Sequence, residues 1–134
     1  MKQKKSVEDY LKTIYILSSR GCVRGADIAE TLKVSRPTVS VALKELSKER
    51  YLFLGKSHEV YLTETGQRIA EATYERHSTF QQLLTGLGVD EETAAADACE
   101  MEHTVSPESF AALKRLMTEQ KQENGGTPVS AGSQ

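Results

Sequence analysis

A chain of 134 residues with 38% hydrophobic content and a net charge of −2 holds enough apolar material for one or two small domains with a packed core. No run approaches the roughly 18 consecutive apolar residues of a membrane helix. Met1-Lys2-Gln3-Lys4-Lys5 passes straight into Ser6-Val7-Glu8-Asp9 without the apolar core of a secretory signal, so a cytoplasmic location and no membrane partner are expected. The charge is unevenly placed, with 12 Lys/Arg against 7 Asp/Glu in residues 1–62 and 5 against 12 in residues 63–134, so only the front half suits an approach to phosphate.

Ser6 followed by Asp9 predicts a capped helix over about residues 7–19, with Tyr10, Leu11, Ile14, Ile16 and Leu17 as its apolar stripe. A turn with two glycines, residues 20–25, includes Cys22. The other cysteine is Cys99, and with no CxxC pair a reducing compartment favours free thiols or a metal ligand over a disulfide. Ala26, Ile28, Ala29, Leu32 and Val34 give a short second helix. Ser35 caps a third, with Pro37 in the first turn, where its missing N–H costs nothing. Val39, Leu43 and Leu46 point inward on that helix, leaving Arg36, Thr38, Ser40, Lys44 and Lys48 outside.

From Tyr51 the period changes to that of two short strands, 51–54 and 59–63, joined by Gly55-Lys56-Ser57-His58. Thr63-Glu64-Thr65-Gly66 opens a long helix with Ile69, Ala72, Phe80, Leu83 and Leu84, which stops near Gly86 and Gly88. Asp90-Glu91-Glu92 suits the first turn of a fifth helix running through Ala94, Ala98 and Met101 toward Thr104. Ser106 caps a last helix bearing Phe110, Leu113, Leu116 and Met117.

The fold class is therefore mainly α with a small β-hairpin. A winged helix-turn-helix DNA-binding domain is expected over 1–63, a second, helical domain over 64–121, which the family resemblance given below makes a dimerisation and metal-binding domain, and a disordered Ser/Gly-rich tail over 122–134. A capped, polar-faced helix directly before a hairpin is what a winged helix requires. It assigns Ser35, Arg36, Pro37, Thr38, Ser40 and Lys44 to double-stranded operator DNA, with Lys56 at the hairpin tip on the backbone. His58 beside it suits phosphate, while no other metal-ligand type lies near it in sequence.

Cys99-Glu100-Met101-Glu102-His103 places a thiolate, a carboxylate and an imidazole at i, i+3 and i+4 on one helix face. Those ligand types fit Fe(II), Mn(II), Co(II), Ni(II) or Zn(II). Asp9 and His77 are candidates to complete the site. The bland alternative makes Cys99 a buried small hydrophobe, Glu102 and His103 solvated, and Asp9 a helix cap.

Glu8-Asp9-Tyr10-Leu11, Thr13-Ile14-Tyr15, Asp27-Ile28-Ala29-Glu30, Ser35-Arg36-Pro37-Thr38-Val39-Ser40, Leu62-Thr63-Glu64-Thr65-Gly66, Arg76-His77 and Glu102-His103-Thr104-Val105-Ser106 together resemble the diphtheria toxin repressor and manganese transport regulator family over residues 6–117. The resemblance implies a homodimer in which Fe(II) or Mn(II), bound between the first helix and the dimerisation helices, activates DNA binding and represses genes of iron or manganese uptake. It places Asp9 where manganese-responsive members have aspartate and Cys99 where iron-responsive members have cysteine, a hybrid pair. Glu102, His103 and His77 fall on ligand positions. Lys12 replaces a second carboxylate of manganese regulators, and Gln81 and Ala95 replace ancillary ligands of iron regulators. No residues correspond to the SH3-like third domain of longer members. Three other functions compete: a winged-helix regulator sensing oxidation at Cys99, a small metallohydrolase, and a metal-independent architectural protein. The hydrolase lacks a phosphate loop, a nucleophile elbow and a paired general acid and base.

Overall fold

The computed structural model describes residues 4–126. Its elements run α1 (Lys4–Ser18), α2 (Gly25–Leu32), α3 (Arg36–Lys48), β1 (Leu52–Leu54), β2 (Val60–Leu62), α4 (Glu64–Gly86), α5 (Glu91–Met101) and α6 (Pro107–Gly126). The chain divides into two compact units, one up to Glu75 and one from Arg76 onward. The dividing point lies within α4, twelve residues beyond the expected boundary at 63/64.

The first unit closes a core around Val7, Tyr10, Leu11 and Ile14 of α1, Ile28 and Ala29 of α2, Val39, Leu43 and Leu46 of α3, Leu52 and Val60 of the hairpin, and Ala70 of α4. Each fully buried aliphatic side chain in such a core contributes about 1.5–3 kcal/mol relative to exposure. Because α1 already includes Lys4, Ser6 lies inside the helix and not at the expected cap position. Burial of Val7 favours keeping this turn helical, and Lys4, Lys5 and Glu8 are good helix formers. The second helix also ends earlier than its apolar pattern suggests. Lys33 adopts a left-handed conformation (φ 60°), the N–H groups of Lys33 and Val34 both return to the Ala29 carbonyl, and Val34 is left exposed.

Ser35 does cap α3: its Oγ accepts from Thr38 N at 3.2 Å, and Pro37 stands in the first turn. The hairpin pairs Leu52 with Leu62 and Leu54 with Val60 in antiparallel register. Leu52 and Val60 face the core, while Phe53 and Tyr61 stack outside with ring centroids 5.2 Å apart. The tip is a three-residue loop. Gly55 N donates to Glu59 O at 2.8 Å, His58 N donates to Gly55 O at 3.0 Å, and His58 takes the left-handed conformation (φ 66°) that such a loop requires at its last position.

Thr63 fastens the hairpin exit to α4. Its hydroxyl donates to Arg50 O at 2.7 Å and accepts from Gly66 N at 3.1 Å, and its own N–H donates to Tyr51 O at 3.1 Å. Along α4 the buried positions are Gly66, Ala70, Thr73 and Phe80, spaced 4, 3 and 7 residues apart, the period of one helix face. Ala72, expected on that face, is exposed. Thr73 takes the inward place because its hydroxyl is satisfied by Ile69 O at 2.9 Å. This same face includes position 77.

In the second unit Phe80 is fully buried and meets Phe110 of α6 edge to face, centroids 5.6 Å apart. Arg76 lies over the Phe110 ring at 4.9 Å and donates to Val105 O at 2.7 Å, so it ties α4 to the loop before α6. Asp90 caps α5, and Ser106 caps α6 by accepting from Ser109 N at 3.1 Å. α6 continues to Gly126, so residues 122–126, expected in the tail, are helical. Lys121, Gln122 and Glu123 are good helix formers that carry the last turns on. The rest of the expected tail, 127–134, lies outside the described residues.

Candidate metal centre and nucleic-acid interface

The second unit brings four of the five expected metal ligands together. Glu102 is the hub. Its side chain is 0% exposed, and its two carboxylate oxygens each face an imidazole nitrogen, Oε1 at 3.1 Å from His77 Nδ1 and Oε2 at 3.1 Å from His103 Nε2. The His77 side chain is 17% exposed and that of His103 only 4%. Cys99 Sγ lies 3.8 Å from the same His77 Nδ1. The bland alternative is thereby reversed: the carboxylate expected in solvent is buried, and the thiol expected in the core is exposed.

The helix end explains the arrangement. α5 stops at Met101, and Glu102 keeps αR geometry with its N–H on Ala98 O at 2.9 Å. His103 N and Thr104 N reach back only three residues, to Glu100 O and Met101 O, so the chain tightens into a 3₁₀-like turn. Cys99 and His103 are therefore not stacked as i and i+4 on a regular helix. Each reaches Glu102 or His77 separately. His77 arrives from the inward face of α4 set by Ala70, Thr73 and Phe80.

Glu102 lies 3.1 Å from each imidazole and Cys99 Sγ 3.8 Å from His77 Nδ1, so carboxylate, imidazole and thiolate donors share one neighbourhood. Carboxylate and imidazole suit Mn(II) and Fe(II), and the thiolate adds affinity for softer ions. The residues present fit a divalent transition metal. Asp9 is carried half-buried on α1 of the first unit.

The nucleic-acid candidates lie in the first unit. Arg36, Ser40 and Lys44 line a groove of about 470 Å³ between α3 and the hairpin, floored by Val39, Leu43 and Leu54 and closed by His58. Ser35 and Thr38 are partly spent on each other, their hydroxyls 2.8 Å apart within the helix cap. Pro37 is in the first turn and Lys56 is exposed at the hairpin tip.

Comparison with known proteins agrees with both halves. The profile described as the iron dependent repressor N-terminal DNA binding domain matches residues 3–60, and that of the iron dependent repressor metal binding and dimerisation domain matches residues 63–129. This chain belongs to the iron-dependent repressor family. It is 37% identical over 102 residues to the HTH-type transcriptional regulator MntR of Bacillus velezensis, covering 75% of this chain and 72% of that protein. The solved manganese regulator SloR superposes with a TM-score of 0.74 at 33% identity, covering 84% of this chain and 53% of the other. A manganese-dependent transcriptional repressor in complex with manganese gives a TM-score of 0.77 at 29% identity, covering 84% of this chain and 52% of the other. The chain thus spans about half the length of these solved relatives. The family to which it belongs is that of the diphtheria toxin repressor and manganese transport regulator, whose members are transcription regulators.

Two residues that brace the hairpin tip were not among those singled out from the sequence. The Arg24 guanidinium donates to Ser57 O and so braces the hairpin tip from the start of α2, while Arg24 N donates to Asp27 Oδ2 at 3.0 Å. Glu59 accepts from Ser57 N at 2.8 Å, and its carboxyl is held below the usual range first by the backbone hydrogen bond at its own position. An arginine 33 residues from its partner leaves no local signal. Glu59, by contrast, directly follows the polar turn, where an acceptor for turn N–H groups was to be looked for.

Proposed function

We propose that this protein is a metal-activated DNA-binding transcription regulator that represses genes of iron or manganese uptake. Membership of the iron-dependent repressor family supports the reading, and Glu102, buried between His77 and His103 with Cys99 alongside, is the observation that carries it. Cys99, Glu102, His103 and His77 hold the ion. Asp9 adds a carboxylate from α1, an assignment that rests on its place in the family pattern. The ion, Fe(II) or Mn(II), supplies positive charge that offsets the buried carboxylate. Arg76, bound to Val105 O, orients the α4 turn that presents His77.

The protein acts as a homodimer with two-fold symmetry, so that two copies of α3 meet two half-sites of a palindrome. The match to a dimerisation domain supports this, as do Leu116, exposed on α6, and its half-buried neighbours Leu113 and Met117. Arg36 and Lys44 neutralise phosphates, Ser40 reaches base edges, Lys56 follows the backbone, and Ser35, Pro37 and Thr38 set the start of the reading helix. No described helix is long and apolar enough to cross a membrane. The protein is not an enzyme in this reading, its donor set serving regulation.

Activation requires that the ion bind the DNA-competent form better than the free ensemble, and a coupling of about 1–3 kcal/mol corresponds to a 5- to 150-fold gain in DNA affinity. Operator binding measured anaerobically against a panel of divalent metals tests the proposal. DNA affinity that ignores every metal would favour a metal-independent architectural protein, and a response to oxidants alone would favour a thiol sensor.

A further inference from the structure

Val41 is 64% exposed in the middle of α3. It lies one turn after Thr38 and one before Lys44, on the side opposite Val39, Leu43 and Leu46, all of which are buried. A β-branched residue on the open face of a helix adds neither core packing nor helix propensity, for which alanine would serve the free protein better. Its neighbours on that face are polar or charged: Thr38, Ser40, Lys44 and Glu45 are all exposed. Lys44 gives this side of the helix a cation, as contact with a polyanion requires.

A polyanion that also offers an apolar knob at the depth a helix reaches is duplex DNA read from the major groove, where the C5-methyl of thymine is the apolar group presented. We propose that Val41 packs against a thymine methyl and thereby fixes an A·T pair at one position of each half-site. This rests on the DNA-binding reading of α3 given above. It adds a specificity element of a chemistry that phosphate contacts cannot supply.

The test uses the full-length, Mn(II)-loaded protein and a duplex that it enriches from a randomised pool. Each thymine is replaced in turn by deoxyuridine, which removes only the methyl group. Wild type should lose about fourfold in affinity at one thymine per half-site, the equivalent of one buried methyl-sized group. Val41→Ala should bind the thymine duplex more weakly and be indifferent to uridine at that position, while keeping its response to every other substitution. Val41→Gln should shift the selected base at that position, since an amide pairs with the edge of adenine. Equal uridine effects in wild type and Val41→Ala, or no uridine effect at any position, would overturn the role of Val41 while leaving DNA binding intact. Enrichment of no duplex at all would overturn the DNA-binding reading together with it.

Discussion

Cys99 Sγ stands 3.8 Å from His77 Nδ1, so a thiol on an exposed helix surface shares an imidazole nitrogen with the buried carboxylate of Glu102. If both donate to one ion, Cys99→Ala weakens metal affinity and metal-activated DNA binding together, because one site links them. The thiol is exposed, so stability of the metal-free protein should change by no more than about 0.5 kcal/mol. Cys99→Glu restores an anion but exchanges sulfur for oxygen, and should shift preference toward Mn(II) and away from Zn(II). Titrations of the three reduced proteins decide it: identical metal affinities would place Cys99 outside the coordination sphere.

At Gly66 the backbone of α4 lies directly against that of Tyr51. A Cβ there would stand 2.0 Å from Tyr51 O, a backbone atom with no side-chain freedom to yield. Gly66→Ala must displace the hairpin exit from α4 and should cost about 1–3 kcal/mol, the range for overpacking. Urea unfolding should show a lower midpoint at an unchanged slope. A midpoint equal to that of wild type would mean that the Thr63 fastening is looser than its bond lengths indicate.

Asp90 gives a pH-dependent contribution. Hydrogen bonds from Thr93, side chain first and then backbone, together with that from Glu92 N, hold its carboxyl below the ordinary value. A depressed folded-state pKa contributes stability above the unfolded value and loses it as pH falls through the folded one. The contribution of Asp90 should thus be complete at neutral pH and be lost in the acid range below that of an ordinary aspartate. Asp90→Asn retains the cap and should flatten this acid limb, whereas Asp90→Ala should lower stability at neutral pH. Unfolding followed at neutral and at acid pH separates them, and identical pH profiles for wild type and Asp90→Asn would contradict the assignment.

Arg36 and Lys44 flank the groove beside α3, and the role proposed for both is contact with phosphate. Removing either should weaken binding to all sequences alike and reduce the salt slope of log affinity by about 1. Ser40→Ala should instead lower specific binding with little change in that slope. Its hydroxyl is the cleaner probe of base contact, because Thr38 also serves the Ser35 cap. An unchanged slope for Lys44→Ala would remove it from the backbone contacts.

The features legible in the sequence were those governed by neighbours within one helical turn. Ser35 and Pro37 announced α3, Asp90 announced α5, and the inward positions of α3 followed from a period of 3.6. The features that escaped depend on tertiary partners. Ala72 and Ala70 differ by two positions, and only the packing of α4 decides which is inside. The left-handed Lys33, not a glycine, ends α2. Glu102 is buried because two histidines receive it, one of them 25 residues upstream, and spacing alone cannot supply that information. Val41 was passed over because an apolar residue facing out breaks the pattern from which inward positions are inferred.

In the proposed mechanism metal and DNA bind one linked system, and linkage is reciprocal. Mn(II) affinity is to be measured by calorimetry under anaerobic conditions on the dimer, alone and saturated with its selected duplex, beside the duplex affinity with and without Mn(II). DNA should tighten metal binding by the same factor by which metal tightens DNA binding, within the range of about 5- to 150-fold. Metal affinity that is unchanged by saturating DNA would show that the Cys99, Glu102, His103 and His77 cluster does not control the DNA-binding unit.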